Sequence, residues 1–114
     1  APPVETALPI GLARMTKTYR GGVSGRSATL FTSAYGGEVG TYLAMEAFEG
    51  SLDGRSGTFA YVHSASTGGA DRADEFFRIV AGSGTGQLAG IRGGGSLSVD
   101  ADGTHHVAFD YEVD

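Results

Sequence analysis

The sequence has no cysteine. That excludes thiol nucleophiles, zinc–thiolate centres and iron–sulfur clusters, and it leaves the redox compartment open. No apolar run approaches the roughly 18 residues needed to span a bilayer. The opening Ala1-Pro2-Pro3-Val4-Glu5-Thr6 lacks the basic and apolar regions of a signal peptide, so the sequence reads as cytoplasmic, without a membrane partner. Basic charge is scarce and scattered, at Arg14, Lys17, Arg20, Arg26, Arg55, Arg72, Arg78 and Arg92, within a net charge of −5. A nucleic-acid binder gathers a basic excess on one surface, and nothing of that kind is present.

Glycine, by contrast, is abundant. The chain of 114 residues carries 20, more than twice the ordinary share of about 7%. They fall between short apolar stretches at spacings of about 8–12 residues, the pattern of an all-β sandwich or barrel. Residues 1–114 suit one domain, long enough to bury roughly two-thirds of its unfolded surface without staples.

The first predicted strand runs from Ile10 to Val23, bent at Gly21-Gly22, and is followed by a turn at Ser24-Gly25-Arg26. Further strands are predicted over 27–35, 41–49, 56–66, 74–81, 96–99 and 105–113. Asp53-Gly54 and Asp102-Gly103 supply tight turns. The polar stretch Thr67 to Ala73 has the composition of a mobile lid. Alternation then assigns faces. Tyr42, Ala44, Glu46 and Phe48 share one face, opposite Leu43, Met45 and Ala47. Phe59, Tyr61 and His63 oppose Ala60 and Val62. His105, Val107, Phe109 and Tyr111 oppose His106, Ala108, Asp110 and Glu112. Aromatic and ionisable groups on one face fit the lumen of a small antiparallel β-barrel of about seven to eight strands, as in lipocalin-like folds. Leu43, Met45 and Val62 on the other face would then pack against a covering segment or another subunit, which implies a homo-oligomer.

Several stretches carry a family resemblance. They are Gly40-Thr41-Tyr42-Leu43-Ala44-Met45-Glu46, then Gly50 through Phe59 with His63 after it, Ile79 through Ile91, and His105 through Tyr111. Together they resemble a bacterial family, common in actinobacteria, named as a domain of unknown function, whose barrel is similar to allene oxide cyclase. The likeness covers most of residues 12–113. It implies an eight-stranded, oligomeric barrel with Tyr42, Glu46 and His63 near the lumen, and it implies no activity. Members usually open with one more strand before the position of Leu12, where this sequence has a short proline-containing lead.

The residues themselves suggest cofactor-free chemistry. Glu46, among apolar neighbours, would have a raised carboxyl pKa suited to proton transfer, or would be a structural carboxylate bonded to a tyrosine or arginine across the barrel. His63 could act as general acid or base, or be a satisfied interior histidine. Tyr42, Tyr61 and Tyr111 could donate to an oxyanion, and with Phe59 and His105 they form the expected ligand-binding set. A metal site would need His63, His105 and Glu46 to converge, and no ligand spacing supports that. Gly82-Ser83-Gly84-Thr85-Gly86 lacks the lysine and helix of a phosphate loop and reads as a turn. The pattern leans toward a cofactor-independent enzyme of cyclase or isomerase type, acting on a small hydrophobic organic molecule through Glu46 and His63. The alternatives are a non-catalytic ligand-binding barrel and a structural barrel with a filled lumen.

Overall fold

The computed structural model describes residues 4–69 and 71–113. Seven antiparallel strands follow one another as a simple meander: β1 (Ile10–Tyr19), β2 (Val23–Gly36), β3 (Val39–Leu52), β4 (Arg55–Gly68), β5 (Asp71–Ile79), β6 (Arg92–Val99) and β7 (His105–Glu112). Among the described residues the only helical element is the 3-10 turn Gly86–Leu88, and no helix is long and apolar enough to cross a membrane. The sheet curls into a half-barrel.

An odd-numbered antiparallel meander brings its two edge strands into the same direction. β1 and β7 therefore cannot close by an antiparallel ladder, and among the described residues no pairing joins them. The sheet is an open trough with a seam. Its radius of gyration, 15.3 Å, exceeds the roughly 13 Å of a close-packed chain of this length.

The face assignments in β3 and β4 match the structure. Ala44, Glu46 and Phe48 are buried between exposed Leu43, Met45 and Ala47, and Phe59, Tyr61 and His63 are buried on β4. Strand boundaries differ from the sequence reading where glycine serves close approach rather than turning. Ser24-Gly25-Arg26 is strand, and the chain reverses earlier, over Arg20-Gly21-Gly22, with Gly21 at φ +98°. Gly25 faces Gly50, and a Cβ on Gly25 would stand 2.2 Å from the Glu49 carbonyl oxygen. The expected lid is also absent as such. Thr67 and Gly68 end β4, Asp71 to Ala73 begin β5, and Thr67 pairs with Arg72; only Ala70 of this stretch lies outside the described residues.

β5 covers only part of β4, from Tyr61 onward. The segment 80–91 pairs with the remainder. Val80 N–H donates to the Ala60 carbonyl (2.8 Å), Thr85 N–H to the Thr58 carbonyl (2.9 Å), and Ser56 N–H to Gln87 Oε1 (2.9 Å). From this segment Leu88 and Ile91 plunge into the trough and pack with Phe48, Leu52, Phe59, Tyr61 and Ile79 as the core. The glycine run that resembles a phosphate loop is this turn.

β6 joins β5 through a single residue pair, Arg78 with Gly94, whereas β6 and β7 pair along eight positions. The β6–β7 hairpin is held to the rest mainly by Phe109, which packs edge-on against Phe59, Tyr61 and Phe77. Local opening follows missing backbone bonds. Amides of 96–99 and 107–111 should exchange hydrogen as one unit, about tenfold or more faster than those of β3 and β4. Equal protection in native-state exchange would mean that the hairpin opens only with the whole sheet.

Candidate functional site

Three polar groupings line the concave side. The first centres on Glu46, whose register neighbours are Thr29 on β2 and Tyr61 on β4. Lys17 and Tyr19 lie on the inward parity of β1 and reach diagonally to the same carboxylate. Lys17 Nζ donates to Oε1 at 2.6 Å, Tyr19 Oη donates to Oε2 at 2.8 Å, and Tyr61 Oη donates to the same Oε2. The two tyrosine hydroxyls also touch at 2.9 Å, so two protons serve three close contacts. With 2% of its surface exposed, Glu46 is a buried charge, and such charges persist only when paired and hydrogen-bonded.

The electrostatics follow from that packing. Burial alone would raise the Glu46 carboxyl. The hydrogen bonds from Lys17 and Tyr61, with the Lys17 charge, outweigh burial and hold it below its ordinary value. Burial, reinforced by the adjacent carboxylate, pushes Tyr19 up to about 12, and it raises Tyr61 as well. The group is therefore an anion clasped by an ammonium and two neutral phenols. Both of its oxygens carry donors, and a depressed carboxyl is a weak base.

The second grouping lies one step along the strands. His63 Nε2 is 2.8 Å from Glu75 Oε2, and Arg72 donates to the same oxygen at 3.3 Å and to the Leu97 carbonyl at 2.9 Å. The Tyr42 hydroxyl stands at 3.5 Å from both His63 ring nitrogens, at the limit of hydrogen bonding, and its ring stacks on Phe31 at 5.3 Å. Among the described residues no hydrogen bond joins this cluster to Glu46, and no group of three or more His, Asp or Glu side chains gathers as a metal centre would need.

The third is the seam itself. A cleft of about 560 Å³ opens between the end of β1 and the length of β7. Tyr19, Val23, Leu52, Val107 and Phe109 give it apolar walls, and Arg20, Asp53, His105, His106 and Tyr111 give it polar ones. Tyr111 Oη donates to Asp53 Oδ2 at 2.8 Å across one end. Tyr19 belongs both to this wall and to the Glu46 network, so the buried carboxylate lies directly behind the cleft.

Residues 1–111 match the family model described as "Protein of unknown function (DUF3224)". The chain belongs to the DUF3224 family. A solved DUF3224 structure from Shewanella oneidensis MR-1, itself of unknown function, superposes with a TM-score of 0.84 at 27% identity, covering 94% of this chain and 80% of that one. No curated protein matches the chain.

In this DUF3224 protein the residues singled out by sequence divide among the three groupings. Glu46 meets Tyr61, Tyr42 meets His63, and His105 and Tyr111 line the seam. Phe59 is a core residue, 2% exposed, packed on Phe48 and Phe109. The carboxyl of Glu46 is lowered, opposite to the expectation drawn from its apolar strand neighbours, because the partners that lower it come from β1 and β4. Sequence reasoning missed Lys17, Tyr19, Arg72, Glu75 and Asp53. One signal was present: Met15, Lys17 and Tyr19 alternate on β1, and Lys17 is the sole lysine.

Proposed function

We propose that this protein is a small-molecule-binding half-barrel whose ligand occupies the seam cleft between β1 and β7. The observation that carries this reading is the cleft: about 560 Å³, with apolar walls and a few convergent polar groups. Small-ligand sites have that size and that mixture. The Glu46 cluster supports the cleft from behind by fixing the Tyr19 ring in its wall.

A cyclase- or isomerase-type reaction driven by Glu46 is less well supported. General acid–base catalysis needs a titrating group within reach of the reacting proton. Here Oε1 is held by Lys17 and Oε2 by two tyrosines, and the carboxyl is depressed rather than poised near neutrality.

The test is a fragment screen by ligand-observed NMR on the wild type and on Val107→Trp, which places an indole in the cleft. Fragments with aromatic or aliphatic bodies are expected to bind the wild type and to lose binding by about tenfold or more in the variant, a cost on the order of 1.4 kcal/mol. The variant's melting temperature should stay close to the wild-type value. Hits that bind both proteins equally would place the ligand elsewhere and overturn the reading.

A further inference from the structure

The hydrogen-bonding inventory of the cleft names the class of ligand, an inference that rests on the cleft being a binding site. Its acidic neighbours are spent. Asp53 accepts from Tyr111 at 2.8 Å, and Asp100, just outside the lining, is 2.7 Å from His106 Nε2. The Tyr19 hydroxyl is committed to Glu46. Arg55 interacts with Tyr111 and offsets the Asp53 charge beside it.

Apart from the Thr18 hydroxyl, the uncommitted polar side chains of the lining are two, and both are basic. Among the described residues the side chains of Arg20 and His105 have no hydrogen bond and no ion pair. In a chain of net charge −5, with 13 acidic residues against 8 basic ones, an unpaired guanidinium sharing a cleft with Tyr19, Leu52 and Phe109 stands open to an incoming anion. A guanidinium offers five N–H donors in a planar fork that matches a carboxylate, and charge-assisted pairs are the stronger hydrogen bonds. We propose that the ligand is a small amphipathic organic anion, its carboxylate held by Arg20 and its apolar body lying on Tyr19, Leu52, Val107 and Phe109.

The titratable and charged groups that share the cleft with Arg20 are Asp53 from the β3–β4 turn, Tyr19 on β1, and His105, His106 and Tyr111 on β7, with Arg55 at the start of β4 beside Tyr111.

Octanoate and 1-octanol share an alkyl body and differ in the charge of the head. Titrated into isotope-labelled protein, octanoate is expected to bind about tenfold more tightly than 1-octanol and to shift the amides of Arg20, Gly22 and His105. Arg20→Gln should weaken octanoate by about the same factor and leave 1-octanol unchanged. Equal binding of both probes, with Arg20→Gln silent, would overturn the anion proposal and leave the cleft as a neutral apolar site. Absence of any shift along β1 and β7 with either probe would overturn the cleft reading and this inference with it.

Discussion

Glu46→Ala is expected to lower folding stability by about 3 kcal/mol, a large share of the 5–15 kcal/mol that holds a typical domain together. The loss comes from the donors left behind. Tyr61, 3% exposed, loses its carboxylate acceptor and keeps only the Tyr19 hydroxyl beside it, and with both phenols bonded to one another one of their two protons has no acceptor. Lys17 contributes less, because its side chain is 41% exposed and can turn to water. Glu46→Gln retains an oxygen that accepts from the tyrosines, so it should cost clearly less than the alanine variant. Urea unfolding checks both. A loss below about 1 kcal/mol for Glu46→Ala would mean that the clasp is ornamental.

The same cluster sets a pH dependence at both ends of the scale. Folding lowers the Glu46 carboxyl, so in acid the unfolded chain binds more protons than the native state. The stability it contributes is complete above the ordinary value of 4.5 and drains away as pH falls through the folded-state value. For the tyrosines the sign reverses. Folding raises Tyr19 from 10 to about 12 and raises Tyr61 too, so the native state holds protons that the unfolded chain releases. Their contribution is complete below pH 10 and falls as pH rises from there towards 12. Tyrosinate absorbance should show Tyr19 and Tyr61 ionising above the ordinary tyrosine value of 10, together with alkaline unfolding.

Leu88→Ala is the second large effect, at about 3 kcal/mol, within the range for emptying a fully buried leucine site. Leu88 has no exposed surface and is the plug by which segment 80–91 enters the core. Gly57 allows that seating: a Cβ there would stand 2.1 Å from the Thr85 carbonyl oxygen and 3.2 Å from Leu88 Cβ. Without the leucine, the segment loses the side chain that holds its hydrogen bonds against β4. The melting temperature should fall by about 10 °C, with hydrogen exchange rising first at 56–60 and 80–88. A fall of under about 3 °C would mean that the surrounding aromatics collapse into the space.

Much of the sheet is legible in the sequence because alternation is a local property. Glu46, Phe48, Phe59, Tyr61 and His63 declare their face through their immediate neighbours, and the structure buries each of them. Glycine is harder to read. The same residue serves as a reversal at Gly21 and as a close approach at Gly25, and only the register with Gly50 tells the two apart. The Glu46 clasp was half visible for a related reason. Tyr61 lies on the adjacent strand of the clearest hairpin, whereas Lys17 and Tyr19 arrive from 29 and 27 residues earlier through a register that no local pattern encodes. Glu75 stayed hidden because a register shift between Ser64 and Ser66, with Asp74 at φ +55°, re-aims the start of β5. The seam follows from counting strands: seven in a meander leave parallel edges.

The most direct measurement is a crystal structure of the protein soaked with the fragments that bind it in solution. Ligand density between the Tyr19 ring and Phe109, with Glu46 still clasped by Lys17, Tyr19 and Tyr61, is the expected result. Density beside Tyr42 and His63 instead, or a Glu46 freed from its partners and facing the ligand, would contradict a seam site backed by a structural carboxylate.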